Sequence, residues 1–258
     1  MGKIIVVANQ KGGVGKTTTS INLSASLAIA EHSVLLVDLD PQANATSGLG
    51  LTPNALPRTV YDCLVRGTSP AEVLTSTGIL RLSVLPSNAD LAGAEIELVA
   101  VPDRESVLKT VIEQVVHQYD YILLDCPPAL GLLTINALVA ATSLLVPVQC
   151  EYYAMEGLGR LMANVERVQN SFNKSLKIEG ILLTMFDSRN SLSRQVADEI
   201  RGHFKDKVYE TVIPRNVTLA EAPSYGRPVL LYNAASSGSQ AYLTLAKEFV
   251  NHGEEGAR

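Results

Sequence analysis

Cysteine is scarce, with 3 residues in 258, at positions 63, 126 and 150. Cys63, Cys126 and Cys150 form no metal-ligand spacing, and any pairing would leave an odd thiol. Buried thiols in a reducing compartment are therefore expected, rather than a zinc module or a disulfide scaffold. No apolar run reaches the length needed to span a bilayer. The N-terminus, Met-Gly-Lys-Ile-Ile-Val, lacks the basic-then-apolar order of a secretory signal and the hydroxyl that myristoylation wants at the sixth position. A cytoplasmic location is expected. Excess positive charge is missing too: 21 Lys/Arg stand against 26 Asp/Glu, a net charge of −5, which taken alone argues against a nucleic-acid partner. Internal repeats, low-complexity segments and linker-like stretches are also absent, so one domain over residues 1–258 is expected, with 253–258 as a frayed tail.

What is present is a composition able to fill a core, 47% hydrophobic and 18% charged. Its charge is unevenly spread. Residues 38–125 hold 5 Lys/Arg against 12 Asp/Glu, whereas 187–227 hold 7 against 6. A locally basic C-terminal third leaves room for a DNA-binding face. Apolar runs at 3–8, 33–38, 82–85, 121–124, 143–148, 178–184 and 209–213 read as strands. Helical periodicity falls at 16–30, 104–118, 134–141, 154–172, 191–204 and 239–251. Near-continuous aliphatic strands alternating with helices predict an α/β fold, a doubly wound and mostly parallel sheet flanked by helices, with its ligand site beyond the carboxyl ends of the strands.

The run Lys11-Gly12-Gly13-Val14-Gly15-Lys16-Thr17-Thr18 joins the first strand to the first helix. Three glycines let the backbone turn so that successive N–H groups face phosphate oxygens, and the helix N-terminus adds partial positive charge there. Lys16 is then placed to pair with the β- and γ-phosphates, and the Thr17 hydroxyl to ligate magnesium. The plain pattern G-x-x-x-x-G-K-[ST] is broken at its first glycine, which is Gln10, while Lys11 precedes the paired glycines. A dinucleotide fingerprint fits Gly13, Gly15 and an acidic strand end at Asp38, but fails at Thr18 and leaves Lys16 without a task. Asp38 and Asp40 close the second strand and Asp125 closes the run 121–124. A carboxylate at such a strand end holds the magnesium shell or, alternatively, makes an Asx-turn or helix cap.

These residues, with Asp38-Leu39-Asp40-Pro41-Gln42-Ala43-Asn44, Asp125-Cys126-Pro127-Pro128 and Pro214-Arg215-Asn216, resemble the ParA family of partition ATPases with a deviant Walker A loop, in particular its chromosomal Soj-like members. The resemblance implies a P-loop ATPase that takes ATP/ADP and Mg2+. It implies that Lys11 reaches the partner's ATP in a homodimer, that Asp40 positions the attacking water and borders the metal, and that Asp125 is the Walker B carboxylate. It implies that Pro214 and Asn216 line the adenine pocket. It further implies an ATP-bound dimer that binds double-stranded DNA non-specifically, associates with the nucleoid, and is stimulated by a ParB-like protein. Candidate DNA contacts are Arg189, Arg194, Arg201, Lys205, Lys207, Arg215 and Arg227. Position 218 is Thr218, where members of the family commonly carry a basic side chain. The alternative is a MinD-like ATPase working on a membrane surface. It needs a C-terminal amphipathic helix, whereas this chain ends in the polar run Gly-Glu-Glu-Gly-Ala-Arg, so no membrane partner is expected. An electron-transfer ATPase would need cluster-ligating cysteines that the scattered thiols do not offer. A partition repressor would need a helix-turn-helix ahead of the loop, and none is expected.

Overall fold

The computed structural model describes residues 2–255, with side chains through residue 252. Seven strands form a single sheet: β1 (Lys3–Val7), β2 (Val34–Asp38), β3 (Thr75–Ser76), β4 (Leu82–Leu85), β5 (Tyr121–Asp125), β6 (Ser143–Gln149) and β7 (Lys177–Thr184). Their order is β3-β4-β2-β5-β1-β6-β7. Every pairing is parallel except β3 with β4.

The central strands β1, β2 and β5 are almost wholly aliphatic because both faces of the sheet are covered. Along β1, Ile4 and Val6 pack on one side while Ile5 and Val7 pack on the other, the two-residue alternation of a pleated strand. The second side is closed by α1 (Lys16–Ile29), through Leu23 and Leu27, and by the last helix, through Tyr242, Leu245 and Phe249. The first side is closed by α2 (Val60–Arg66), α3 (Leu91–Glu97), α4 (Val107–Glu113), α5 (Leu132–Ala140), α6 (Ala154–Ser171) and α7 (Ser191–Phe204). A short α8 (Val217–Glu221) precedes the last helix, α9 (Ser237–Glu255). Residues 256–258, the end of the segment expected to fray, lie outside the described residues.

Two expectations are corrected. Residues 209–213 form no strand. They run beside β7, where the Tyr209 and Ile213 amides donate to Ile181 O and Leu183 O at 3.0 and 2.8 Å, and isolated bridges flank them, Ile181 with Val208 and Phe186 with Pro214. The amides of Glu210 and Thr211 are taken by the Glu248 carboxylate of α9, at 2.7 and 3.0 Å, instead of a ladder. The helix expected over 104–118 is three pieces, a 3-10 turn at Arg104–Ser106, α4, and another 3-10 turn at Val116–Gln118. Asn136 on α5 sets the first break: its carboxamide donates to Arg104 O at 2.8 Å and accepts the Leu108 amide at 3.0 Å.

The register positions the site. β1 lies between β5 and β6, so the chain leaves it at a topological switch point, where a crevice opens beyond the strand ends. Val7 pairs with Asp125, and Asp38 also pairs with Asp125. Two carboxylates therefore stand side by side next to the loop that follows β1.

Candidate functional site: a phosphate loop facing three carboxylates

The loop after β1 is held from two other strands, β6 and β7. The buried Asn9 carboxamide donates to Pro147 O on β6 at 2.8 Å and accepts the Lys11 amide at 3.0 Å. Thr184, at the end of β7, donates its hydroxyl to Val14 O at 2.8 Å. Gly13 and Gly15 have φ of 73° and 89°, a left-handed backbone that glycine adopts without steric cost. Gly15 is the N-cap of α1 and makes no side-chain cap bond, so the first amides of the helix stay open to an anion. The Lys16 side chain folds back across the loop and donates from Nζ to Lys11 O at 3.2 Å. Burial lowers its pKa, while Asp125, the Cys126 side chain and Asp40 pull it back up.

Among the carboxylates, Asp125 is fully buried and takes a 2.7 Å hydrogen bond from Ser20 on Oδ1. Its Oδ2 is buried without a hydrogen-bond partner. Burial raises the Asp125 pKa to about 7, and the neighbouring Asp38 adds to the rise, while the Ser20 hydrogen bond and the nearby Thr17 hydroxyl oppose it. Asp38 is committed to structure: Oδ1 accepts the Asp40 amide at 3.1 Å, and Oδ2 accepts the Thr46 amide and hydroxyl at 2.8 and 2.7 Å. Burial lifts its pKa to about 6. Asp40 accepts the Gln42 amide on Oδ1 at 2.9 Å, and its carbonyl accepts the Ser87 hydroxyl at 2.8 Å. An orphaned carboxylate oxygen beside the Thr17 hydroxyl is a donor set suited to a hard divalent cation.

Beside the loop lies a cavity of about 340 Å³ whose lining includes Gly15, Thr18, Thr184, Pro214, Asn216 and Tyr242. Pro214 and Asn216, the residues expected to border an adenine, both line this cavity. Asn216 also caps α8, accepting the Leu219 amide at 3.2 Å, and donates to Ser237 Oγ at 2.8 Å. Lys11 is exposed and forms an ion pair with Glu151, just beyond β6.

A family model described as an AAA domain matches residues 2–178. The chain is 55% identical to the sporulation initiation inhibitor protein Soj of Bacillus subtilis, covering 98% of this chain and 100% of that protein. It is 52% identical to the chromosome partitioning protein ParA of Myxococcus xanthus, over 97% of this chain and 88% of that one. The chain belongs to the ParA/Soj family of P-loop ATPases. Among solved structures, cobyrinic acid a,c-diamide synthase of Mycobacterium smegmatis, with a bound ATP analog and magnesium, superposes with a TM-score of 0.87 at 37% identity, covering 99% of this chain and 97% of that one. The cell division ATPase MinD of Pyrococcus furiosus superposes with a TM-score of 0.81 at 26% identity, over 97% and 99% of the two chains.

Of the basic candidates of this ParA/Soj chain, Arg215 lines the cavity beside the loop, next to Pro214 and Asn216. Arg189 binds Asp187 through Nε and Nη2, at 3.0 and 3.1 Å, and this pairing together with Arg215 holds the Asp187 carboxyl below its usual pKa. Arg194 donates to Ser188 O, and the half-buried Arg201 to Glu210 O at 3.4 Å. Lys205, Lys207, Arg215 and Arg227 are exposed. Sequence reasoning missed Asn9, Ser20, Thr46, Glu151 and Thr184. The small polar residues carry no distinguishing sequence signal, because their role is defined by a partner strand. Glu151 alone, following the apolar run 143–148, repeats the pattern of a carboxylate at a strand end. No helix among the described residues is long and apolar enough to cross a membrane.

Proposed function

We propose that the chain is a DNA-partition ATPase whose ATP-bound homodimer holds double-stranded DNA without sequence preference and releases it when a ParB-type partner accelerates hydrolysis. The observation that carries this reading is the division of labour between two lysines of one loop. Lys16 is buried across the loop with its ammonium on Lys11 O, while the Lys11 ammonium is turned outward against Glu151. A single subunit needs only the first to hold its triphosphate; the second, held only by a part-exposed ion pair that a triphosphate can displace, serves a nucleotide held by another copy.

In this reading the open amides after Gly13 and the Lys16 ammonium hold the β- and γ-phosphates. Thr17 and Asp125 would hold the magnesium, which would neutralise phosphate charge. The adenine enters the cavity beside Pro214 and Asn216. Asp40 orients the attacking water by accepting its hydrogen bond. As the water oxygen bonds the γ-phosphorus, the bond to the β–γ bridging oxygen breaks, and Lys11 of the partner copy offsets the charge that develops. The relatives support the same assignment, since proteins named for chromosome partition reach 52 and 49% identity, whereas the MinD likeness stands at 26%. DNA attraction would come from exposed Lys205, Arg215 and Arg227, doubled by dimerisation. A cytoplasmic, nucleoid-associated protein follows.

The test is sizing chromatography with and without ATP and magnesium. Asp40→Ala should elute as an ATP-dependent dimer that retains DNA, and Lys16→Ala as a monomer that does not. Elution of both variants at the same volume regardless of nucleotide would overturn the proposal.

A further inference from the structure

We infer that the groove between α1 and α9, at the end of α1 remote from the phosphate loop, is a binding site for a free medium-chain fatty acid, and that an occupant there strengthens nucleotide binding.

The two helices lie side by side over one face of the sheet, and toward the end of α1 their surfaces do not close. A cavity of about 510 Å³ separates them there, within the range of about 300–1,000 Å³ typical of small-molecule sites. Its walls include Ile29 and Ala30 of α1 and Leu243, Ala246 and Val250 of α9. Ile29 is 46% exposed, so an aliphatic side chain of the last turn lines this space instead of joining the core. From Leu243 to Asn251 the α9 wall runs about 12 Å, at roughly 1.5 Å per residue. That is a trough for an extended chain rather than a slot for a ring.

The rim sets the sign of the ligand. Lys247 and Asn251, four residues apart on α9, share the helix face that borders the groove. Both are exposed, and among the described residues the Lys247 ammonium has no ion pair. The acidic groups nearby are engaged elsewhere. Glu248 takes the Glu210 and Thr211 amides, while Asp120 takes the Ser33 amide at 2.8 Å and lies 3.9 Å from His32, which also borders the groove. A carboxylate is thus matched by an ammonium and a carboxamide, with aliphatic walls behind them for its hydrocarbon chain. Other occupants fit less well. The chain's own residues 253–258 carry two glutamates but no apolar side chain larger than alanine. A second copy centred on this groove would bring two Lys247 ammonium groups together. DNA offers phosphates but nothing to cover Ile29, Leu243 and Val250.

The same two helices line the nucleotide cavity. Gly15 and Thr18 of α1 and Tyr242 of α9 border it, and the Tyr242 and Thr19 hydroxyls share a 3.1 Å hydrogen bond. Leu243, the next residue, begins the groove. A chain seated between Ile29 and Leu243 holds α9 against α1 beyond that bond and keeps the nucleotide cavity preformed. By reciprocity, nucleotide must strengthen fatty-acid binding by the same factor. This coupling rests on the nucleotide-binding reading; the groove itself does not.

The probe is decanoate below its micellar concentration, titrated calorimetrically into the full chain with and without ADP and magnesium. Saturable binding is expected, about tenfold weaker for Lys247→Gln, which removes a charge-assisted contact. Ala30→Trp, which fills the opening from an exposed position, should abolish it. Both variants should melt at the temperature of the unmodified chain when no decanoate is present. Decanol keeps the chain without the carboxylate and butyrate the reverse, and each should bind more weakly than decanoate by about tenfold or more. ADP affinity should rise about fivefold in saturating decanoate, and decanoate affinity equally in saturating ADP. No saturable heat, full binding by either variant, or decanol or butyrate binding as tightly as decanoate would overturn the site. Flotation of the chain with phosphatidylcholine–oleate vesicles, in place of binding to free decanoate, would move the acyl chain into a bilayer and overturn it too. Saturable decanoate binding that leaves ADP affinity unchanged would overturn the coupling. A chain that binds decanoate but no nucleotide would count against the function proposed above and leave the groove standing.

Discussion

Ser20 Oγ donates a 2.7 Å hydrogen bond to Asp125 Oδ1, tying α1 to the end of β5, while Asp125 Oδ2 beside it is buried with no partner. The helix that would receive the phosphates and the carboxylate that would face the metal are thus one rigid unit. The half-satisfied carboxylate is costly to keep ionised until a cation arrives.

That cost has a pH signature. Asp125 is raised to about 7 and Asp38 to about 6, against about 3.9 in the unfolded chain. The folded state therefore binds these protons more tightly than the unfolded state, so their contribution is most favourable below about pH 4 and is lost as pH climbs to about 7. Asp125→Asn removes the larger share. Its nucleotide-free melting temperature should exceed that of the unmodified chain at pH 8 by several degrees, at about 2–4 °C per kcal/mol. The gap should close at pH 4, and magnesium-dependent nucleotide affinity should fall. Thermal melts at the two pH values check this, and an equal gap at both would contradict it.

Lys11→Ala should separate binding from turnover. The ion pair with Glu151 is part-exposed at both side chains, and such pairs contribute about 0–1 kcal/mol, so stability should barely change. Calorimetric ATP affinity should stay within about threefold, because Lys16 is the ammonium folded over the loop and Lys11 is paired with Glu151 instead. If it acts on a partner's nucleotide as an arginine finger does, phosphate release should drop by about 1000-fold or more. A proportionate loss of affinity and rate would show instead that Lys11 serves its own site.

On the proposed DNA face, Arg215 and Arg189 should behave differently. Arg189 is already neutralised by two bonds to Asp187, so Arg189→Ala should alter DNA retention little. Arg215→Ala should weaken it and reduce the slope of log affinity against log salt by about 1. Filter binding across a salt series distinguishes the two, and the opposite ranking would exclude Arg215 as a phosphate contact.

Gly226 is a packing prediction. Its φ is +62°, and an added Cβ would lie 2.6 Å from Gly50 Cα. Gly226→Ala combines backbone strain with a clash against backbone that has no side chain to swing aside, and should cost about 1–3 kcal/mol. A denaturant midpoint equal to that of the unmodified chain would refute the close approach.

The phosphate loop was legible because its chemistry is contiguous: glycines, lysine and threonine act through backbone amides within eight residues. The strands β1, β2, β5, β6 and β7 were legible for a related reason, since burial on both faces leaves only aliphatic runs. Asp38 and Asp40 were harder to separate. Both end the same strand, and only the Thr46 amide and hydroxyl, eight residues on, show that Asp38 is spent on structure. At 209–213 the apolar pattern was that of a strand, yet Glu248 from α9 took the amides that a ladder would have used. At 104–118 the helical period was broken by Asn136 from α5.

From the sequence alone came the alternation of strand and helix, the position of the loop at the first strand end, and the family resemblance, because each depends on residues near one another in the chain. Strand order and register decided the rest. They set Asp38 against Asp125 and raised both proton affinities, brought Glu151 to Lys11, placed Thr184 under the loop, and left a groove between α1 and α9. Through-space neighbours determine desolvation and charge, and no local pattern encodes which strand will lie beside which.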